Sequence, residues 1–191
     1  MHAARSNLTL VATAVLTVLA ILFLVVALAA APLVHGDDGP PSVTDRDTLV
    51  IGVRDAPPGL ARRAGDGSLQ GFDIDVSTYI AGRLGVTSGD LTFRALAPDG
   101  WETALNRGTV DMVVAAYTIT PERKARVTFA GPYYERYGIG LRKGDMDGCR
   151  AVNRILTGMY ENGAAETLLK QWFTAPDFDA ASLVPRFEGC R

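Results

Sequence analysis

Residues 115–126, with the sequence AAYTITPERKAR, hold the side chains best suited to bind a small ligand. Thr120 is a preferred N-cap residue and Pro121 suits the first helical position, so the pattern predicts a helix directly after an apolar strand. Such a strand end is where α/β folds bind ligands, and free N–H groups at a helix start favour an anion. Thr118 adds a hydroxyl and Arg123 a two-pronged guanidinium, which together indicate carboxylate binding. The spacing alone also fits an ordinary helix start with a solvated arginine.

Hydrophobic periodicity predicts the elements that must position these side chains. Apolar runs predict strands, and apolar residues at helical spacing predict helices. The order along the chain is strand 48–53, turn 65–67, helix 72–84, strand 91–96, helix 101–105, strand 110–116, a strand from residue 137, and helices around 152–159 and 165–172. Strands that alternate with helices predict an α/β fold with a mostly parallel sheet.

The N-terminal region is predicted to place the rest of the chain outside the cytoplasm. Residues 8–34 carry no charge and are long enough to span a membrane, which requires about 20 apolar residues. Arg5 precedes this run and two aspartates follow it, so residues 1–7 are predicted to be cytoplasmic. The alternative is a cleaved signal peptide, although the run is longer than usual for one. Residues 35–47 are polar and are predicted to be a flexible tether.

Composition narrows the function of residues 48–191, which have the size of one domain. The net charge of the chain is −2, which gives no basic surface for nucleic acid. Cys149 and Cys190 are predicted to form a disulfide outside the cell, the alternative being two free thiols. His2 and His35 make no metal-ligand cluster with them, so no metal or other cofactor is expected. No acid/base or nucleophile–base pair is recognised, so the chain is not expected to be an enzyme.

The order of several motifs resembles that of a known family. LVIGVR, GFDIDVSTYIAGRLGV, ALNRGTVDMVVAAYTITPERKARVTFAGPYY and YGIGLRKGD precede paired helices that end in LLKQWF. This order is similar to the extracytoplasmic solute-binding proteins of family 3, the polar amino-acid receptors of ABC importers. The resemblance covers residues 48–173, and PPGLARR is similar to the glutamate-type members of actinobacteria. It implies a periplasmic-binding-protein-like type II lobe of three layers, α/β/α, with a polar amino acid and an ABC permease or another membrane protein as partners.

The resemblance also implies roles for individual residues. Arg123 and Thr118 match positions that clamp the α-carboxylate of an amino acid, and the Ala116 carbonyl matches one that accepts from the α-ammonium. Asp55 and Gly59 are expected to line the mouth of the pocket. These residues extend the carboxylate site into an amino-acid site.

Three further residues stand in matched segments. Trp101 is expected in the ligand site, at a position where binders of acidic amino acids often carry an arginine, so glutamate or aspartate specificity stays open. Asp73 and Asp75 of GFDIDV are interpreted as structural. Asp73 is expected to cap its helix.

The junction at Glu135-Arg136 departs from the family pattern. In the family a whole second lobe lies between GPYY and a returning strand, whereas here GPYY runs into YGIG through these two residues alone. The second lobe is therefore predicted to be absent. Without its acidic partner for the α-ammonium and its exclusion of water, we expect affinity at the millimolar level or weaker, about 4 kcal/mol of binding free energy.

An alternative function is a protein-interaction or sensory module whose open face binds a partner chain. An exposed aromatic patch around Tyr133, Tyr134 and Tyr137 is expected in that case. The opposing expectation is that these tyrosines pack within the lobe. A decayed gene is a further alternative that the residues leave open.

Overall fold

A computed structural model describes residues 16–17, 19–23, 41–55, 59–173 and 189–190. The chain divides into two compact units, Met1–Gly39 and Pro40–Arg191. In the first unit, residues 16–17 and 19–23 are helical. No helix within the described residues has the length and apolar character needed to cross a membrane. The span predicted over residues 8–34 lies mostly outside the described residues.

The second unit contains the strands and helices that periodicity predicts, with small shifts at their ends. It adds a short hairpin of β2 and β3, which is not among the predicted elements. The elements are β1 (Leu49–Val53), β2 (Arg62–Arg63), β3 (Leu69–Gln70), α1 (Phe72–Arg83), β4 (Leu91–Ala95), α2 (Trp101–Asn106), β5 (Met112–Thr118), α3 (Pro121–Lys124), β6 (Thr128–Tyr134), β7 (Tyr137–Leu141), α4 (Met146–Glu161) and α5 (Ala164–Trp172).

The main sheet has five strands in the order β4-β1-β5-β7-β6. β1 pairs in parallel with β4 and β5, whereas β7 runs antiparallel to both β5 and β6. The sheet is therefore mixed, and the prediction of a mostly parallel sheet is corrected. The physical reason is the short link of Glu135 and Arg136, because two residues can join antiparallel strands but not parallel ones. Glu135 has a φ of +46°, the left-handed conformation used by tight hairpin turns.

Both faces of the sheet are covered, which confirms the three-layer α/β/α architecture. Strand residues alternate between the faces, since successive side chains of a strand point in opposite directions. Leu49 and Ile51 belong to a core shared with α1, α4 and α5. Val113 and Tyr117 belong to a second core shared with α2. Strand β5 is consequently apolar along nearly its whole length.

Residues 42–46, which the sequence analysis assigns to the tether, lie against the lobe. Val43 is only 2% exposed and belongs to the larger core. The Ser42 hydroxyl donates to Asp145 Oδ1 at 2.7 Å, and the Val43 N–H donates to Asp145 Oδ2 at 3.2 Å. Asp145 also caps α4 by accepting from the Gly148 N–H at 2.9 Å. The buried Asp145 carboxylate thus holds residues 42–43 against the start of α4.

Cys190 is also joined to the start of α4, close to Asp145. Cys149, in the first turn of α4, forms a disulfide with Cys190, with a Cα–Cα distance of 5.9 Å. This confirms the predicted pairing. The bridge closes a sequence separation of 41 residues, so it restricts the unfolded chain considerably.

Candidate functional site

The parallel strands β4, β1 and β5 end at one edge of the sheet. We use the term carboxyl edge for this edge and the β6–β7 turn beside it. Ligands of α/β folds bind outside such strand ends. The Ile119 N–H, just after β5, donates to the Arg136 carbonyl in the β6–β7 turn at 3.0 Å. The segment after β5 and the β6–β7 turn therefore lie side by side.

Ala116 has an unusual backbone conformation near the end of β5. Its φ is +49°, in the left-handed region that alanine rarely adopts. The pairing of β5 with β7 is irregular here, since Val113 pairs with Gly140 and Tyr117 with Gly138. Three residues of β5 thus face one residue of β7. Strained residues of this kind cluster at binding sites, so this conformation is an independent indication of a site.

A buried chain of hydrogen bonds supports Ala116. Its N–H donates to the Tyr133 hydroxyl oxygen at 3.2 Å, and the Tyr133 hydroxyl donates to Asp73 Oδ1 at 2.6 Å. Asp73 is 1% exposed and Tyr133 is fully buried. The N-cap residue of α1 is Gly71, with no side-chain capping bond. The prediction that Asp73 caps its helix is therefore wrong, because its carboxylate bonds to Tyr133 instead.

Burial controls the protonation of this pair. Loss of hydration raises the pKa of Asp73 to about 7, although the Tyr133 hydroxyl, the Ala116 N–H and the positive charge of Arg54 each oppose the rise. Burial also raises the pKa of Tyr133 well above its ordinary value, and the Asp73 charge adds to that rise. Asp73 therefore titrates near neutral pH, far from the usual range of a carboxyl group.

Arg123 is held at the carboxyl edge by α3, a single helical turn. The Thr120 hydroxyl accepts from the Arg123 N–H at 3.3 Å, which confirms the predicted N-cap. The Arg123 side chain is partly buried, and its Nη1 donates to the Thr118 carbonyl at 2.9 Å. Its guanidinium carbon lies 4.9 Å from the centre of the Tyr117 ring. Because a guanidinium has five N–H donors, this arrangement leaves it able to bind an anion.

Polar groups surround Arg123 on the side of α2. They line a cleft formed by Pro98, Asp99, Glu102, Arg123 and Arg126. Glu102 accepts from the Tyr117 hydroxyl at 3.2 Å and forms an ion pair with Arg126 at 2.6 Å. Asp99 is exposed at the rim. This cleft has no signal in the sequence, since its residues are separated along the chain and form no motif.

Trp101 lies beneath this part of the site. It is 2% exposed, its ring centre lies 4.8 Å from that of Tyr117, and its Nε1 is 3.4 Å from the Leu96 carbonyl. The structure thus places Trp101 in the core that supports Tyr117. Its direct contact with a ligand stays a prediction.

Asp55 and Gly59 lie on the segment that follows β1. Asp55 is exposed and forms a loose ion pair with Arg63 at 3.8 Å. The Gly59 carbonyl accepts from the Phe72 N–H at 2.8 Å, and the φ of Gly59 is +99°. Residues 56–58 between them lie outside the described residues. The structure brings Ala116, Thr118 and Arg123 together, whereas the role of Asp55 and Gly59 at a pocket mouth stays a prediction.

The three tyrosines of the β6–β7 hairpin pack within the lobe. Tyr133 is fully buried, and Tyr134 and Tyr137 are partly buried. Tyr134 stacks on Phe173 with ring centres 5.1 Å apart. None of the three forms part of an exposed aromatic patch, so the patch expected for a protein-interaction module is not found here.

Comparisons with known proteins agree with this fold. The model of the family described as "Bacterial extracellular solute-binding proteins, family 3" matches residues 49–175. Glutamate-binding protein GluB of Corynebacterium efficiens is 30% identical over 129 residues, which are 65% of this chain and 44% of that protein. GluB of Corynebacterium glutamicum is 28% identical over 128 residues, 65% of this chain and 43% of that protein. The chain thus spans less than half the length of these curated relatives.

Solved structures show the same fold. An ancestral arginine-binding protein bound to arginine is 22% identical with a TM-score of 0.64, covering 67% of this chain and 99% of that one. The arginine-bound form of domain 1 from TmArgBP is 32% identical with a TM-score of 0.55, covering 59% of this chain and 94% of that one. With the family model matched along most of the lobe, the chain belongs to the family 3 bacterial extracellular solute-binding proteins.

Proposed function

We propose that the lobe is a receptor domain that binds the α-carboxylate of a polar amino acid at its carboxyl edge, as a relative of ABC-importer receptors. The observation that carries the proposal is the left-handed Ala116 beside Thr118 and a partly buried Arg123. Arg123 and the Thr118 hydroxyl bind the carboxylate, and the Ala116 carbonyl accepts from the ammonium. The lobe works outside the cell, held by a membrane anchor over residues 8–34.

The proposed binding is weak, because no second lobe is inserted between β6 and β7 in the part of the chain that the structure describes. Glu135 and Arg136 join β6 directly to β7, and the relatives are more than twice as long as their matched parts. Water and salt therefore weaken each charged contact. The arginine-bound domain 1 from TmArgBP supports retention of binding by a single domain. We expect a Kd of about 1 mM or weaker, about 4 kcal/mol.

Selectivity among amino acids depends on contacts with the side chain of the ligand rather than on the carboxylate clamp, which binds a group common to all of them. GluB relatives bind glutamate, and the solved neighbours hold arginine or glutamine. The cleft beside Arg123 carries both acidic and basic side chains, so it does not select one charge by itself. A panel of acidic, neutral and basic amino acids is therefore needed.

Nitrogen-15 NMR of residues 40–191, produced in an oxidising host, tests the proposal. Binding should shift the amide signals between Ala116 and Arg123 at millimolar ligand. Arg123→Ala should abolish these shifts, and Arg123→Lys should restore only part of them, since lysine lacks the two-pronged geometry. Arg107→Ala is the matched control, because Arg107 is an exposed arginine at the C-cap of α2.

A well-folded spectrum that responds to no amino acid in the panel would contradict the receptor function. Shifts that persist in Arg123→Ala would contradict the assignment of the carboxylate clamp. In the first case the alternative of a protein-interaction or sensory module becomes the function to test, with the carboxyl edge as its surface.

A further inference from the structure

We propose that Asp73 is a positioning residue for the amino-acid site: through the Tyr133 hydroxyl it holds Ala116 in the left-handed conformation that the site uses. The inference rests on the proposed function for its effect on binding. The positioning itself concerns only residues within the lobe. Asp73 does not touch the ligand in this scheme.

Ala116 needs external support to keep its conformation. A left-handed non-glycine residue is less stable than the ordinary conformations by about 1–2 kcal/mol. Such a residue persists only where its surroundings favour it. The contact that the structure provides is the 3.2 Å bond from the Ala116 N–H to the Tyr133 oxygen.

The orientation of the Tyr133 hydroxyl depends on Asp73. A phenol oxygen accepts best when its own proton is directed elsewhere, and here that proton is donated to Asp73 Oδ1 at 2.6 Å. Tyr133 is fully buried, so water cannot replace this acceptor. The orientation of the Tyr133 hydroxyl toward Ala116 is therefore set by the Asp73 carboxylate.

A merely structural role explains the buried carboxylate of Asp73 poorly. A buried carboxylate is costly unless it is fully hydrogen-bonded, and Asp73 does not cap its helix. Its neighbour Asp75 has a packing role on the same helix, accepting from Trp172 Nε1 of α5 at 2.7 Å. Asp73 instead points at the strand that forms the site. The Asp73 carboxylate is thus linked through Tyr133 to Ala116, the residue with the strained backbone.

Protonation of Asp73 should therefore affect the backbone conformation of Ala116. The groups that act on Asp73 and Tyr133 are the two side chains themselves, the Ala116 N–H, Arg54 after β1 and Tyr137 on β7. Among them Asp73 changes its charge near neutral pH, because burial raises its pKa to about 7. When Asp73 is protonated, the Tyr133 hydroxyl loses its anionic acceptor and the support of Ala116 weakens.

The test uses the full chain in detergent, labelled with carbon-13 in its alanine methyl groups. The methyl shift of Ala116 reports its backbone conformation, and its signal is assigned by its loss in Ala116→Gly. In the wild type this signal should move with pH, with a midpoint near 7. Asp73→Asn should abolish the pH dependence, and Tyr133→Phe should move the signal at every pH. Asp75→Asn is the matched control and should behave as the wild type.

Binding is then measured with L-arginine and L-glutamate as probes. Asp73→Asn and Tyr133→Phe should each weaken binding about tenfold, as release of one left-handed residue would. Folded variants that keep both the wild-type Ala116 signal and wild-type affinity would overturn the positioning role, as would a pH-independent wild-type signal. If Ala116 follows Asp73 but neither probe binds, the positioning is supported and only the receptor function fails.

Discussion

Asp73 gives the lobe an unusual dependence of stability on pH, which the isosteric replacement Asp73→Asn isolates. Asparagine keeps the size of the side chain and offers Tyr133 a neutral acceptor in place of the carboxylate, but it cannot ionise. The difference in unfolding free energy between the wild type and this variant therefore follows the ionisation of Asp73. Subtracting the variant removes the contributions of the other carboxyl groups, which titrate in both proteins.

The sign follows from the direction of the shift. The pKa of Asp73 rises from its ordinary 3.8 to about 7 on folding, mainly through burial. The contribution of the protonated group to stability is complete below pH 3.8 and is lost as pH rises to about 7. At about 1.36 kcal/mol for each tenfold change in the protonation equilibrium, the loss is about 4 kcal/mol.

Urea unfolding at a series of pH values between about 4 and 8 measures this difference, with linear extrapolation to water. The stability of the wild type should fall relative to Asp73→Asn as pH rises. Asp75→Asn, a second change from carboxyl to amide on α1, serves as the matched control. The reasoning would be refuted if the stability of the wild type stayed constant or rose relative to that of Asp73→Asn as pH increased. Hydrogen bonds to the carboxylate would then outweigh its burial.

Other substitutions are checked by the same unfolding assay. Replacing Cys149 and Cys190 together with serine should lower the unfolding free energy by about 4 kcal/mol, from the separation of 41 residues that the disulfide closes. Gly71→Ala should lower it by at least about 3 kcal/mol, since the added Cβ would lie 2.2 Å from the Leu60 carbonyl oxygen. Ala116→Gly should leave stability within about 0.5 kcal/mol of the wild type or raise it, whereas Ala115→Gly, at a buried β5 residue without a positive φ, should lower it by about 1 kcal/mol.

The parts of the fold that sequence patterns predict are those with a local physical cause. The nearly continuous apolar run over residues 110–116 reflects burial of β5 on both faces. The spacing from Phe72 to Ile80 reflects one buried face of α1. Thr120 caps α3 as its residue type predicts. Each of these signals lies within a few residues of the feature that it predicts.

The support of the candidate site has no such local signal. The bond between Tyr133 and Asp73 joins residues 60 positions apart, and only the folded sheet brings them together. Alanine is not a residue type that indicates a positive φ, so the conformation of Ala116 has no signature in the sequence. The burial of Trp101 likewise depends on Tyr117, which comes from another element.

The position of the Glu135-Arg136 junction in the fold explains why absence of a second lobe there should lower the affinity for a ligand but leave the stability of the lobe largely unchanged. The β6–β7 pairing runs from Thr128 opposite Leu141 to Tyr134 opposite Tyr137, so the short turn leaves the hairpin paired at both ends. The site itself is built from β5 and α3, and β5 is held by its neighbours β1 and β7 and by Tyr133 of β6, all within the lobe. Absence of a second lobe at Glu135 and Arg136 would thus remove the cover of the site while the elements that position it stay in place. We therefore expect a lobe with the stability of an ordinary domain and the affinity of an open half-site. A lobe that unfolds readily but binds an amino acid tightly would contradict this separation.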